Sequence, residues 1–214
     1  MSSPDSLALS SPLLRPERGG STRVRVGRFE LVLEAVRGGH SLLWGDGREA
    51  RRFALGLGDI GQLSLQLEPP AWPCRVVVRE TLVLAPGARV RGYVQLPLVP
   101  VVVGHRANGQ DLRLLELANA DLGGEWDERF GTTFRVASSW HVRFPMPTGE
   151  ARATVPLTLF NDAAEMFAPA DLPVQLLRQD LFVRRSSIVA APRRLRWSGQ
   201  SWNGTPRRRA EVNG

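Results

Sequence analysis

A basic segment interleaved with tryptophan carries the strongest chemical signal in the chain. Arg193, Arg194 and Arg196 are followed by Trp197, and Trp202 and the arginine run 207–209 come shortly after. Guanidinium groups neutralise phosphates and indole rings stack on bases, so this composition is typical of an anion or nucleic-acid contact. No recognised nucleic-acid-binding motif accompanies it, and solvated chain ends share the same composition. We take Arg193, Arg194, Arg196 and Trp197 as the candidate binding residues.

The imidazoles offer little support for a metal site. His40, His105 and His141 are the only histidines, and none forms a His-x-His or His-x-x-Glu-His spacing. A closed zinc site needs a fuller ligand set than unrelated single histidines provide. We expect surface or hydrogen-bonding roles for them, and whether they converge in space stays open at this stage.

The densest acidic group is Asp121, Glu125, Asp127 and Glu128. Paired carboxylates can hold calcium or perform acid–base chemistry. Their spacing does not match the Asp-x-Asp-x-Asp-Gly loop of an EF-hand. We therefore predict a solvated polar loop over 121–131, with no metal and no cofactor.

Nucleophile and phosphate motifs are also weak. Cys74 has no histidine near it in sequence, and free cysteine is among the most buried residue types, so core packing is expected. The serine pairs 138–139 and 186–187 lack the Gly-x-Ser-x-Gly elbow of esterases. Residues 56–61 formally spell Gly-x-Gly-x-x-Gly, but an alternating β segment follows in place of the helix that a dinucleotide site requires.

Composition sets the class of protein. The 214 residues are 43% hydrophobic and 23% charged, which suits a globular domain with a buried core. All 28 basic residues are arginine and the net charge is +7, so an anionic partner has to be considered. A GC-rich genome would also enrich arginine. Arg23 and Arg25 flank Val24, and Arg89 and Arg91 flank Val90, which predicts that these arginines lie on solvated sheet faces.

Period-2 alternation in short runs predicts an all-β protein. The clearest strand is 62–67, where leucine alternates with polar residues, which predicts one buried and one wet face. Turn signals punctuate the runs at 38–39, 45–47, 86–87 and 108–109. Pro-Gly at 86–87 predicts a hairpin, as does Asn-Gly at 108–109. Residues 111–120 fit a strand or a short helix, and we favour the strand.

About ten to twelve short runs at this spacing are typical of an antiparallel β-sandwich, jelly-roll-like, or of two packed sheets. We expect a flexible N-terminal tail over 1–22, with Leu13 and Leu14 docking, and a β-sandwich domain over 23–200. A division into two lobes, 23–104 and 110–200, stays open. A flexible basic C-terminal tail is expected over 201–214.

The middle of the chain has a recognisable order of turn and strand signatures. These are Pro69–Pro70, Leu82–Gly87, Gln95–Gly104, Leu159–Asp162 and Ala190–Leu195. Over about residues 40–197 the chain resembles an uncharacterised prokaryotic family, found mostly in archaea and known only as a domain of unknown function. The resemblance implies a β-rich fold and nothing about chemistry.

The sequence favours a non-enzymatic β-sandwich module that binds another protein or assembles with itself. Two alternatives remain: an anion or nucleic-acid binder acting through the Arg/Trp-rich C-terminus, and an enzyme whose site is assembled from distant residues. The first ten residues lack a basic region followed by an apolar one, so we expect no secretory signal. The longest uncharged apolar stretch, Leu96–Gly104, is too short for a membrane helix. With a single cysteine, we expect a cytoplasmic protein.

Overall fold

The computed structural model describes residues 9–17, 19–45, 50–56, 58–117, 123–127, 131–147, 150–184 and 186–203. Side chains of residues 123–127, 131 and 132 lie outside this description, as do all atoms of the remaining residues. The turn predicted at 45–47 falls mostly outside the described residues.

The described chain is built from strands, which confirms the predicted all-β class. In chain order they are β1 (Ser10–Leu13), β2 (Ser21–Val26), β3 (Phe29–Val36), β4 (Gly39–Gly45), β5 (Ala50–Leu55), β6 (Ile60–Glu68), β7 (Cys74–Val78), β8 (Arg89–Pro97), β9 (Val99–Arg106), β10 (Asp111–Glu116), β11 (Gly123–Asp127), β12 (Gly131–Ser138), β13 (Arg152–Asn161), β14 (Leu172–Val174), β15 (Leu181–Arg184), β16 (Ser187–Ala190), β17 (Arg193–Trp197) and β18 (Trp202–Asn203).

Helical structure within the described ranges amounts to one turn of 3₁₀ helix, Arg178–Asp180. No helix in this part of the chain is long and apolar enough to cross a membrane.

The strands form four hydrogen-bonded sheets. Their orders are β1-β6-β9-β10, β11-β12-β7-β14, β2-β3-β4-β5, and β15-β16-β13-β17-β18 with β8 on the other edge of β13. Most pairs are antiparallel, as predicted. Three pairs are parallel, namely β7 with β12 and β13 with both β16 and β17. Period-2 patterns carry no information about strand direction, so the sequence did not reveal these pairs.

One hydrophobic core joins the four sheets. It contains Leu31 from β3, Leu63 from β6, Val76 from β7 and Leu157 from β13, all nearly inaccessible to solvent. Three of the four sheets seen in the described residues combine strands from both halves of the chain. The sheets therefore do not follow a division into lobes at 104–110.

The N-terminal segment is more ordered than expected. Residues 10–13 pair with β6, and Leu13 lies in the core, so the prediction of a flexible tail is wrong for these residues. The core docking expected of Leu13 is confirmed, whereas Leu14 is exposed. At the other end, β18 pairs with β17, so residues 202–203 also belong to a sheet. Residues 204–214 lie outside the described ranges.

Turn chemistry was predicted more accurately than the pairing of the flanking strands. The turns at Gly38 and Gly109 have positive φ and close the β3–β4 and β9–β10 hairpins. Gly87 also has positive φ, and the turn closes with the hydrogen bond that Ala88 N–H donates to the Ala85 carbonyl. The hairpin predicted there is wrong, because β7 and β8 belong to different sheets. The chain between them crosses from one sheet to the other.

Two further sequence expectations have clear outcomes. The strand favoured over the helix for 111–120 is confirmed for β10. The polar loop predicted over 121–131 is wrong for β11, which pairs antiparallel with β12. Strand pairing depends on distant partners that local composition does not reveal, so the acidic residues alone suggested a loop.

The wet face predicted for β6 is confirmed at Gln62, which is exposed, and wrong at Ser64 and Gln66. Leu63, Leu65 and Leu67 face the core as expected, but Ser64 and Gln66 on the opposite face are each only 5% exposed. They lie beside Val103 and Val101 of β9, which are buried as well. Polar side chains on a covered face need hydrogen-bond partners, and Gln66 donates to Ser64.

Gly92 on β8 provides a test of the packing. A Cβ at this position would overlap the indole ring of Trp140. We predict that Gly92→Ala lowers the free energy of unfolding by about 1–3 kcal/mol, the usual cost of overpacking. Chemical denaturation measures it. Gly56→Ala is the matched control, since a Cβ there meets nothing within 4 Å. In a Trp140→Ala background the cost of Gly92→Ala should shrink, and an equal cost in both backgrounds would contradict the contact.

Candidate functional site

The outward side of three neighbouring strands forms a basic face. Strand β13 is central, with β8 antiparallel on one edge and β17 parallel on the other. The register places Arg91 and Arg194 on either side of Thr158, and Arg89 and Arg196 on either side of Phe160. Directly opposed residues in a sheet lie side by side on one face. We call Arg89, Arg91, Thr158, Phe160, Arg194 and Arg196 the basic face.

Strand alternation turns these side chains away from the core. Leu157 and Leu159 of β13 and Leu195 of β17 are buried, so the residues between them face outward. All four arginines of the basic face are exposed. The solvated position predicted for Arg89 and Arg91, and for Arg23 and Arg25 on β2, is confirmed.

The charge on these three strands has one sign. Strands β8, β13 and β17 contain six arginines, two in β8, one in β13 and three in β17, and no aspartate or glutamate. The carboxylate beside the face is Asp162, which accepts two hydrogen bonds from Arg196 at 3.0 and 2.9 Å. Among the described residues, Arg91 and Arg194 have no ion-pair partner. A positive potential on this face therefore persists after the Arg196 charge is balanced.

Phe160 holds two of the arginines in place. The Arg196 guanidinium lies 4.1 Å from the ring centroid and the Arg89 guanidinium 5.4 Å from it. Both distances fall within the range for cation–π attraction. The ring thus reduces the conformational freedom of two long side chains. Binding of an anion to them therefore costs less side-chain conformational entropy.

An aromatic rim adjoins the basic face. Tyr93 lies on the outward side of β8, and the Phe144 ring meets its edge at 5.5 Å between centroids. Phe144 is 40% exposed. We call Tyr93 and Phe144 the aromatic rim. A ring that is partly free of the protein can stack on a base or another flat group.

The segment that carries Phe144 is anchored at three points. Trp140 packs against Gly92, and its backbone N–H donates to Glu80 at 2.8 Å. His141 exchanges backbone hydrogen bonds with Tyr93 at 2.8 and 2.9 Å. The Trp140 hydrogen bond is the main cause that lowers the pKa of Glu80, so the carboxylate keeps its charge at neutral pH.

Only part of the predicted binding set lies on the basic face. Arg194 and Arg196 point outward, whereas Arg193 and Trp197 occupy the opposite side of β17. Arg193 pairs with Asp180. Trp197 stacks on Phe167 at 3.9 Å between centroids, with Trp202 edge-on at 5.7 Å. Trp197 and Trp202 therefore pack with Phe167 in an aromatic cluster. The outward side of β17 carries Arg194 and Arg196 instead.

Two other sequence candidates, Cys74 of β7 and His40 of β4, lie outside the basic face. Cys74 is buried, which confirms the prediction of core packing, and burial raises the pKa of its thiol to about 12. Burial, and then the charge of Arg15, lower the pKa of His40. Within the described ranges, no three His, Cys, Asp or Glu side chains form a group that could hold a metal ion. Of the acidic group, Asp121 and Glu128 lie outside the description, as do the side chains of Glu125 and Asp127.

Sequence reasoning missed how the site is assembled. Arg89 and Arg91 were recognised as exposed, but nothing in the sequence linked them to residues a hundred positions later. The parallel pairing of β13 with β17 makes that link, and it leaves no local signature. The absence of acidic residues from all three strands was the available signal.

Comparison with protein-family models, with curated proteins and with solved structures returned no match. No relative therefore assigns a role to the basic face, and the resemblance stated over residues 40–197 stays a prediction.

Proposed function

We propose that this protein binds single-stranded nucleic acid through the basic face and the aromatic rim. The observation that carries the proposal is the charge of the basic face, where β8 and β17 place four exposed arginines and where β8, β13 and β17 contribute no acidic residue. A chain of phosphates is the common biological anion that such a surface matches.

The spacing of the arginines suits a repeating anion. Arg89 and Arg91 are two residues apart on one strand, about 6.6 Å, and Arg194 and Arg196 repeat this interval across β13. The four guanidinium groups therefore form two parallel rows of positive charge instead of a single pocket. Rows of this kind can contact successive phosphates, whereas a single small anion would contact only one or two of the four guanidinium groups.

The aromatic rim favours a single strand over a duplex. A base can stack on Phe144 only when it is not paired and stacked within a helix. The basic face is also a sheet surface, and no helix in the described residues is available to enter a major groove. Both features fit an unpaired strand lying across β8, β13 and β17.

Exposed arginines should set the salt dependence of binding. Arg91→Ala with Arg194→Ala removes two unpaired charges without touching the Phe160 contacts. We predict weaker binding to a labelled single-stranded oligonucleotide. The slope of log affinity against log salt should flatten by about 1.4, the value for two lost phosphate contacts on a single strand. Fluorescence anisotropy over a salt series measures both quantities.

The matched control is Arg23→Ala with Arg25→Ala. This pair has the same spacing and exposure and lies on β2, in a different sheet. An equal loss in the control would mean that net charge, and not the basic face, governs binding. The proposal fails if the wild-type protein does not bind at low salt, prefers a duplex of equal length, or binds polyglutamate as tightly as the oligonucleotide.

Stacking on the rim is tested separately. We predict that Phe144→Ala weakens single-strand binding by about 1–3 kcal/mol, the usual contribution of one stacked base, without changing the salt slope. Met146→Ala is the control, because Met146 is 82% exposed in the same segment but has no ring. Equal affinities for Phe144→Ala and wild type would remove the rim from the proposed site.

A second function, the assembly module expected from sequence, has its own supporting observation. Val142 and Met146 are 79% and 82% exposed on either side of Phe144. Exposed apolar side chains close together in a chain are typical of an interaction surface. The occupant we propose is a second copy of this chain, which would bury the same segment.

Sedimentation analysis over a range of concentrations tests self-association. We predict a concentration-dependent shift from monomer to dimer that Val142→Glu with Met146→Glu abolishes, because charge cannot be buried in an apolar contact. Leu14→Glu, an equally apolar and exposed position elsewhere, should leave the shift unchanged. A protein that stays monomeric at all concentrations would contradict this function.

A further inference from the structure

Strands β6, β9 and β10 bring a serine, a histidine and an aspartate together on one face of a different sheet. His105 and Asp111 are register partners across the β9–β10 hairpin. Ser64 lies on the neighbouring strand β6, two residues from Gln62, which is the partner of His105 on that side. Residues that are far apart in sequence thus become neighbours through sheet order.

The three side chains form one directed chain of hydrogen bonds. His105 Nδ1 lies 2.6 Å from Asp111 Oδ1, and His105 Nε2 lies 2.8 Å from Ser64 Oγ. An ionised carboxylate can only accept, so in the neutral imidazole Nδ1 carries the proton and Nε2 has a free lone pair. The Ser64 hydroxyl therefore donates to Nε2. This is the orientation in which a histidine can take a proton from serine.

Gln66 completes the surroundings of Ser64. Its amide N–H donates to Ser64 Oγ at 3.3 Å. Its Oε1 is buried and has no hydrogen-bond partner among the described residues. Buried polar atoms are normally paired, so an unpaired acceptor beside a serine hydroxyl is unusual and distinguishes this position from an ordinary covered sheet face.

We propose that Ser64 is a nucleophile for acyl transfer, with His105 as its general base and Asp111 as the residue that positions the imidazole. The three residues would then act as a Ser-His-Asp triad. No sequence motif signals it, because Ser64 does not lie in the Gly-x-Ser-x-Gly elbow that marks nucleophilic serines in esterases. This activity is separate from the proposed nucleic-acid binding, which uses another sheet.

The proposed reaction is the hydrolysis of a simple ester, with water as the second substrate. Ser64 Oγ bonds to the acyl carbon while its proton passes to His105 Nε2, and Asp111 stabilises the imidazolium. The bond from the acyl carbon to the leaving alcohol oxygen then breaks, and that oxygen takes the proton from Nε2. Water next attacks the acyl–Ser64 ester and gives a proton to Nε2. The carboxylic acid leaves and Ser64 regains its hydrogen.

Burial restricts the substrate. Ser64 and Gln66 are each 5% exposed, whereas the side chains of His105 and Asp111 are 31% and 62% exposed. The acyl group must therefore approach from the His105 side and be small. Val103 is the register partner of Ser64 on the same face, so the side chain beside the nucleophile is apolar, and a short apolar acyl group such as that of an acetate or propionate ester would suit it.

A fluorophosphonate probe tests the nucleophile directly. Ser64 Oγ would bond to phosphorus as the P–F bond breaks, fluoride would leave, and Nε2 would take the hydroxyl proton. We predict one added probe per chain by intact-mass spectrometry, located at Ser64 by peptide mapping. Label at another residue, or no label on the folded wild-type protein, would overturn the proposal, and neither result depends on a variant that folds.

Single substitutions test the roles proposed for Ser64 and His105. Ser64→Ala should abolish labelling, while Ser187→Ala, another buried serine that lies on β16, should not affect it. His105→Gln should slow labelling by roughly 10²-fold or more, the usual contribution of a general base. Labelling at Ser64 with an unchanged rate in His105→Gln would contradict the assigned chemistry.

Asp111 needs a measurement that a purely structural role would not alter. In Asp111→Asn the labelling rate should fall, because the amide can donate to Nδ1 and so leave the imidazole proton on Nε2, which then cannot accept from Ser64. Asp111→Glu, which keeps a carboxylate acceptor, should restore part of the rate. A wild-type rate in Asp111→Asn, or an equal loss in Asp111→Asn and Asp111→Glu, would remove Asp111 from the proposed site. Arg23→Ala with Arg25→Ala, on β2 and outside both proposed sites, should label like wild type. Because probe labelling is read by mass and nucleic-acid binding by anisotropy, either proposal can fail while the other stands.

Discussion

The pairing of β13 along both of its edges is the constraint on which the molecule depends. Strand β8 covers one edge over nine register pairs, while β16 and β17 share the other. One side of β13 supplies Val155, Leu157 and Leu159 to the core. The other side carries Thr158 and Phe160 between arginines. The same alternation that stabilises the fold therefore presents the charge.

Asn161 at the end of β13 fixes the position of the strands around it. It is completely buried, and its side-chain amide donates to the carbonyls of Leu84, Ala85 and Glu165 at 2.7–3.2 Å. Its backbone N–H donates to Ala88, immediately before β8. A buried amide with all of these acceptors cannot shift without leaving polar groups unpaired. The register of β8, and with it the place of Arg89 and Arg91, follows from this anchor.

Local features of the fold could be predicted from sequence, and long-range ones could not. Turn glycines at 38 and 109, the buried Cys74 and the exposed Arg89 and Arg91 all follow from rules that concern one residue and its neighbours. The failed hairpin at 86–87 shows the limit, because the turn forms as expected but the strands separate. Sheet membership depends on contacts between distant residues, and periodicity does not encode them.

Neither candidate site could be predicted from local sequence patterns, because both depend on which strands are neighbours in a sheet. The basic face requires a parallel pairing between residues 157–161 and 193–197. The contact of His105 with Ser64 requires β6 beside β9. Arg193 and Trp197 were chosen with Arg194 and Arg196 because they are consecutive in sequence. In a strand, consecutive residues face opposite sides, so half of a contiguous motif necessarily points away from any one surface.

The most direct measurement is photo-crosslinking of the 214-residue chain to a single-stranded oligonucleotide that contains 4-thiothymidine, followed by peptide mapping. We predict crosslinks concentrated in peptides that carry Tyr93, Phe144 and Phe160, and their loss at high salt. Crosslinks confined to the β2–β5 sheet, or spread evenly over every arginine-bearing surface, would show that the outward side of β8, β13 and β17 is not the binding site.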